Sequence, residues 1–251
     1  MSTQAVSSTG GDAIAANGPF GFRRVCRALV NELMDADVRV SEGGPSLSVQ
    51  LSADIWFRCH WPRNANLSAQ IRVREPMAWR KALAVPIATT FFRGPEREAH
   101  ADIVTLVAGN PEGRPQWRPR RAELQPLDAL SQSRAAFDAT AVAKFCTAVG
   151  DNNPVHSTKS AAGAVGWRGP AVPGMLLYDH ALHLLSAILE SDPASVRISA
   201  VLVAPVLVGH PVLFSIDRTI DPDAYRFSVT PQQGVLANRC IKAGTIVVSY
   251  G

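Results

Sequence analysis

Apolar residues recur every three or four positions in three segments of the chain, and this spacing predicts three helices. The first is expected over about residues 20–35. The second is expected to run to Val149, with Asp138 placed to cap its start and Gly150 placed to end it. The third is expected from Gly174 to about residue 190, and it is buried because apolar residues cover more than half of its circumference.

Several of the remaining segments alternate apolar and polar residues, which predicts strands with one covered face. These strands are expected at residues 46–59, 66–74, 85–93 and 100–108, and again at 196–203, 211–220, 225–230, 236–243 and 245–250. A buried helix followed by antiparallel strands indicates an α+β fold in which the sheet wraps around the helix. Residues 1–19 are expected to be a disordered tail, and the proline-rich residues 111–130 a linker between two halves.

Composition narrows the class of protein. With 251 residues, 47% of them apolar and 18% charged, the chain can bury a sizeable core. The net charge of +4 suits an acidic small molecule or an acidic carrier protein, and is too small to indicate a nucleic-acid partner. No apolar run reaches the roughly 18–20 residues of a membrane span. Four scattered cysteines and a start without signal-peptide features predict a cytoplasmic location.

The candidate chemistry lies between the second and third helices. Asp151 and His156 stand on one turn, and the Asn153-Pro154 step keeps its backbone extended, so both side chains can point the same way. Gly174 opens the buried helix, where unpaired N–H groups and the helix dipole favour negative charge. An acid/base pair beside such a donor can move water on or off a polarised carbonyl. The residues therefore predict a hydratase or dehydratase acting on an acyl thioester.

Other interpretations of these segments stay open. The residues from Asp151 to Pro154 are also typical of an ordinary Asx turn. His180 and His183, beside Asp179, have a spacing that suits either metal ligands or packed histidines at a helix edge. A cluster of arginines beside Trp117 is either a solvated linker or a contact for ligand phosphates, and consists of Arg114, Arg118, Arg120 and Arg121.

The order of residues around the turn resembles a known family. Residues 145–156 read Phe-Cys-Thr-Ala-Val-Gly-Asp-Asn-Asn-Pro-Val-His, and Ala161 or Ala162, Gly174-Met175-Leu176, Pro205-Val206 and Gly209 follow. This pattern resembles the MaoC-like family of (R)-specific enoyl-CoA hydratases and 3-hydroxyacyl-thioester dehydratases. The resemblance covers about residues 131–250.

The resemblance implies a hotdog fold, in which a sheet curls around one long helix, either as a homodimer or as two hotdogs fused in one chain. It implies that Asp151 and His156 are the catalytic pair and that Gly174 donates the oxyanion N–H. It further implies a CoA or acyl-carrier-protein thioester as the partner, with no metal and no other cofactor. Residues 131–251 would carry the active site, and residues 20–110 would be a degenerate hotdog that holds the acyl chain.

Asn153, Pro173 and Met175 are expected to contact the substrate. The chain also departs from the family pattern: Pro173 and Thr158 stand where relatives often have histidine and aspartate, and Gly209-His210 replaces a common Gly-Asp. These departures bear on substrate preference.

The predicted function is the reversible hydration of trans-2-enoyl thioesters to (R)-3-hydroxyacyl thioesters. Two alternatives remain: thioester hydrolysis on the same fold, and a non-catalytic subunit that binds acyl thioesters. The absence of the family motif from the first half and the presence of Pro173 motivate the second of these.

Overall fold

A computed structural model of the protein describes residues 18–40, 49–59, 67–80, 82–107, 110, 112–118, 124–232 and 240–250. Several predictions fall wholly or partly on residues outside these ranges. They concern the expected tail at residues 1–17, Arg120 and Arg121, parts of the expected linker at 111 and 119–123, and the ends of several expected strands, at residues 46–48, 66, 108 and 236–239.

Four helices and ten strands form the described part of the chain. The helices are α1 (Phe22–Val40), α2 (Ala139–Val149), α3 (Lys159–Ala164) and α4 (Gly174–Ser186). The strands of the first half are β1 (Val49–Arg58), β2 (Ser68–Val73), β3 (Met77–Trp79), β4 (Ala82–Arg93) and β5 (Glu96–Val107). Those of the second half are β6 (Ala129–Ala136), β7 (Ser195–Val201), β8 (Pro211–Arg218), β9 (Ala224–Pro231) and β10 (Ile241–Ser249).

All ten strands belong to one antiparallel sheet. Its order is β2-β4-β5-β1-β7-β10-β9-β8-β6, with β3 attached to β4. The two halves meet where β1 pairs with β7, and Ile55 lies opposite Ile198 at the middle of that junction. One hydrophobic core therefore runs across both halves, and it contains Tyr178 and Leu182 of α4 together with Phe22 and Leu29 of α1.

The predicted elements are largely confirmed, with corrections at their ends. Helix α4 ends at Ser186 and not near residue 190, although Leu189 still donates to the Leu185 carbonyl and packs against the core. The two strands predicted around Gly244 are one strand, β10. A methyl group at Gly244 would lie 2.2 Å from the ring of Phe227, so the glycine makes room for that ring and does not break the strand.

The expected linker is partly packed against the sheet. Ala78 of β3 donates to the Pro115 carbonyl, and Trp117 donates back to the Ala78 carbonyl. The Trp117 ring meets Trp79 edge-on and is buried. The predicted boundaries of the two halves remain a prediction. No helix among the described residues combines the length and the apolarity needed to cross a bilayer.

Candidate active site

The turn that carries Asp151 begins at a well-defined helix end. Asp138 caps the start of α2 by accepting from the Ala141 N–H at 2.7 Å, as its position predicts. At the other end Gly150 adopts a left-handed conformation with φ of 79°. The N–H groups of Gly150 and Asp151 both donate to the Cys146 carbonyl. The helix end thereby fixes the direction in which the chain enters the turn.

Side chains within the turn bind its own backbone. Asp151 Oδ1 accepts from the Asn153 N–H at 3.0 Å, and Asn153 Oδ1 accepts from the Val155 N–H at 3.2 Å. Pro154 then starts a single 3₁₀ turn that ends at His156. These contacts are those of the predicted Asx turn, and they leave the second carboxylate oxygen of Asp151 available for another contact.

A backbone carbonyl binds the Nδ1 atom of the His156 ring. Nδ1 lies 2.7 Å from the carbonyl oxygen of Ala171. Because a carbonyl oxygen can only accept, Nδ1 must carry the proton. In the neutral imidazole, Nε2 is then an unprotonated acceptor.

The structure brings the two predicted catalytic side chains together. Nε2 of His156 lies 3.5 Å from Oδ2 of Asp151, with the His156 side chain 13% exposed and that of Asp151 19% exposed. With Nδ1 protonated, both facing atoms carry lone pairs. Two acceptors at this separation can bind the two hydrogens of one water molecule, whose oxygen is then oriented as a nucleophile.

Gly174 is the first residue of the buried helix α4 and lies close to the pair along the chain. Ala171, which binds His156, precedes Gly174 by three residues, so their Cα atoms are at most about 11 Å apart. Within the described part of the chain, no acceptor binds the Gly174 N–H. This donor stands at the positive end of the helix dipole, where a developing oxyanion would be stabilised.

The remaining predicted site residues, Asn153, Pro173 and Met175, are near neighbours of these groups along the chain. Pro173 precedes α4, is buried, and accepts from the N–H groups of Leu176 and Leu177 through its carbonyl. The side chain of Met175 is buried in the core. Substrate contacts by Asn153, Pro173 and Met175 therefore stay predictions.

Two residues of the first half also reach this region, and local patterns in the sequence did not single them out. Asn31 of α1 has its Oδ1 3.6 Å from the position that a Gly150 side chain would occupy. Gln50 of β1 lies beside Gly174. Both depend on pairing between the halves, so only three-dimensional contact could reveal them.

The alternative metal interpretation of the α4 histidines gains no support. The His180 ring packs against the rings of Phe137 and Phe214, with centroids 5.5 and 4.4 Å away. Burial, and then repulsion from His183, lowers the pKa of His180 to about 4. No group of three potential ligands among the described residues is arranged to hold a metal ion.

Comparisons by sequence find nothing: no family model and no curated protein matches the chain. Comparisons by structure find many similar proteins. HtdX from Mycobacterium tuberculosis is 16% identical, with 94% of this chain and 93% of that chain covered and a TM-score of 0.69. A MaoC-like dehydratase from Phytophthora capsici is 16% identical, with 83% and 74% covered and a TM-score of 0.65.

An acyl-ACP thioesterase from Bacteroides thetaiotaomicron is also similar, at 14% identity, with 88% of each chain covered and a TM-score of 0.52. At such low identities these likenesses concern the fold. They confirm the predicted α+β hotdog fold, and they confirm the resemblance to MaoC-like dehydratases at the level of architecture.

Proposed function

We propose that this protein is a hydro-lyase that reversibly interconverts trans-2-enoyl thioesters and (R)-3-hydroxyacyl thioesters of CoA or an acyl carrier protein. The observation that supports it most directly is the 3.5 Å approach of His156 Nε2 to Asp151 Oδ2, with His156 Nδ1 engaged by Ala171. The fold that the chain shares with the Phytophthora dehydratase supports the reaction class. The resemblance of the motif to the (R)-specific family supports the stereochemistry.

In the hydration direction, Asp151 and His156 bind one water molecule above the β-carbon of the substrate. The Gly174 N–H binds the thioester oxygen and stabilises the negative charge that develops there. The pair removes one proton from the water as its oxygen bonds to the β-carbon. The same proton is returned to the α-carbon, so the elements of water are added across the double bond and no other reactant is consumed.

The first experiment replaces the pair with side chains of matched shape. Asp151→Asn keeps an oxygen that can accept from the Asn153 N–H, and His156→Asn keeps an amide donor near the Ala171 carbonyl. Each change removes a group that exchanges protons, so each is expected to lower kcat by about 10²–10⁴-fold. Loss of crotonyl-CoA absorbance measures the rate, and thermal unfolding checks that the fold is retained.

Asp138→Asn serves as the control in the same region. Asn caps a helix as well as Asp does, so this variant is expected to keep both activity and stability. Turnover close to wild type in Asp151→Asn and His156→Asn would contradict the proposed roles.

Thioester hydrolysis is the second candidate, because the thioesterase from Bacteroides shares the fold. The two reactions differ in product: hydrolysis releases a free thiol from a saturated acyl-CoA, whereas hydration releases none. A thiol reagent added to the same assay separates them. Ligand-induced thermal stabilisation without turnover across a panel of enoyl-CoAs would instead indicate a non-catalytic binding subunit.

A further inference from the structure

Gln50 brings a side-chain amide from the first half of the chain to the start of helix α4. A methyl group at Gly174 would lie 3.0 Å from Gln50 Oε1 and 3.0 Å from Leu202 Cδ1. The Gln50 amide therefore borders the N-terminus of the helix on which the thioester oxygen is proposed to bind. Gln50 is partly buried, and its position bears on how the substrate is held.

An irregularity in β1 sets the direction in which the Gln50 side chain points. Gln50 pairs with Thr105 and Ser52 pairs with Val104, so Leu51 is an extra residue in the ladder. Leu51 packs in a separate cluster with Ala84 and Trp117, and Gln50 faces α4. Bulges of this kind re-aim side chains and occur often beside active sites.

Hydrogen bonds fix the orientation of the amide. The Tyr178 hydroxyl lies 3.4 Å from the Ala200 carbonyl, to which it must donate. Its oxygen therefore accepts from Gln50 Nε2, at 3.3 Å. Gln50 Oε1 is thus the atom on the Gly174 side, and no described residue donates a hydrogen bond to it.

Gln50 Oε1 is not one of the fully buried oxygens, so a ligand N–H can reach it and take the place of water as its donor. CoA thioesters and carrier-protein thioesters share such a group. In both, the cysteamine unit places an amide N–H only a few bonds beyond the thioester sulfur. When the thioester oxygen binds the Gly174 N–H, this amide lies near the start of α4.

We propose that Gln50 Oε1 accepts a hydrogen bond from the cysteamine amide N–H of the substrate. The inference rests on the proposed hydration and adds a specificity determinant to it: the first half of the chain recognises the feature that all pantetheine thioesters share. Gln50 is a binding residue in this role, and it takes no part in the proton transfers.

The test compares two crotonyl thioesters that differ in one group. One carries N-acetylcysteamine, and the other carries 2-mercaptoethyl acetate, in which an ester oxygen replaces the amide N–H. We expect wild type to prefer the amide in kcat/KM by about tenfold, the size expected of one hydrogen bond. Gln50→Met has similar length and lacks the acceptor oxygen, so it is expected to reduce that preference to about twofold or less.

A purely structural role for Gln50, through Tyr178, would slow both substrates equally and leave the ratio unchanged. Gln132→Met, an exposed substitution on β6, is the matched control and is expected to keep the wild-type ratio. An equal ratio in wild type and Gln50→Met overturns the inference while hydration stands. Failure of wild type to hydrate crotonyl-CoA overturns the proposed function, and the inference with it.

Discussion

Gly150 sets the conformation from which Asp151 projects. Its φ of 79° is strained for any residue with a side chain, yet the nearest atom to an added methyl group is Asn31 Oδ1, at 3.6 Å. That distance is an ordinary contact. The cost of a side chain at Gly150 is therefore conformational and not steric.

Gly150→Ala is expected to lower the free energy of unfolding by about 1–2 kcal/mol, because a left-handed backbone is costly for alanine. Gly163→Ala, within α3, is the opposite case: its φ is not positive and nothing lies within 4 Å of an added methyl group. There alanine should stabilise by about 0.5–1 kcal/mol, because it favours helix. Urea unfolding measures both, and changes of the same sign would contradict this account.

His180 links stability to pH. The described residues offer no hydrogen-bond partner to its buried Nε2, and its pKa is lowered from 6.5 to about 4, mainly by burial. The unfolded chain therefore binds the proton more readily than the folded protein between these values. Stability rises with pH wherever the unfolded state binds more protons, so this residue makes the protein less stable as pH falls from 6.5 towards 4.

His180→Leu is expected to make the loss of stability over this pH range shallower. Urea midpoints measured at several pH values would show the change in slope. His210→Gln, which replaces an exposed histidine, is measured alongside as the control substitution. A steeper dependence in His180→Leu would refute the assignment.

At the scale of elements, the sequence predicts best where local pattern and tertiary role agree. Helices α2 and α4 have apolar stripes and clear start signals, and both begin where predicted. Strand β6 has no large aliphatic or aromatic residue apart from Leu130, so its sequence gives no strand signal. It forms at the sheet edge because β8 pairs with it.

The site residues also differ in whether the local sequence indicates them. Asp151, His156 and Gly174 lie in short segments whose spacing indicates their chemistry. Gln50 lies beside Gly174 because of a one-residue bulge and the pairing of β1 with β7. Register between distant strands is a long-range property, so a local pattern cannot contain it.

Among the described side chains, an ion pair joins helix α1 of the first half to helix α4 of the second. Arg23 of α1 donates to the carboxylate of Asp179 of α4 through both Nε and Nη2, and the Asp179 side chain is only 5% exposed. Burial raises the pKa of Asp179, and the hydrogen bond and charge of Arg23 oppose that rise. The positive charge of Arg23 thus compensates the buried negative charge of Asp179 where α1 meets α4.

Arg23→Met leaves that carboxylate without its cation and is expected to cost about 3 kcal/mol of stability. The double variant Arg23→Met/Asp179→Leu removes the buried charge as well, and it should recover most of the loss. Denaturant unfolding of the four proteins in this cycle measures the coupling. Additive losses in the double variant would show that the two side chains do not act as a pair.

At the scale of the whole molecule, the sheet and the core both run through the junction of the halves. Ile55 of β1 and Ile198 of β7 pair there, and both are fully buried. The same core cluster includes Ile216 of β8, which lies near the far edge of the sheet. A chain with one continuous core is expected to unfold as one cooperative unit, although its length exceeds that of most two-state domains.

Large-to-small substitutions in each half test this cooperativity. Ile55→Ala and Ile216→Ala each remove buried volume and are expected to cost about 3 kcal/mol. If the halves are coupled, calorimetry will show one transition that moves as a whole to lower temperature in both variants, by about 2–4 °C for each kcal/mol. Two resolved transitions, with only one of them shifted in Ile216→Ala, would mean that the halves unfold separately. Gln50 would then belong to a half that can unfold while the acid/base pair stays folded. Binding of a pantetheine thioester would in that case stabilise the transition of the first half more than that of the second half, because the ligand needs Gln50 in place.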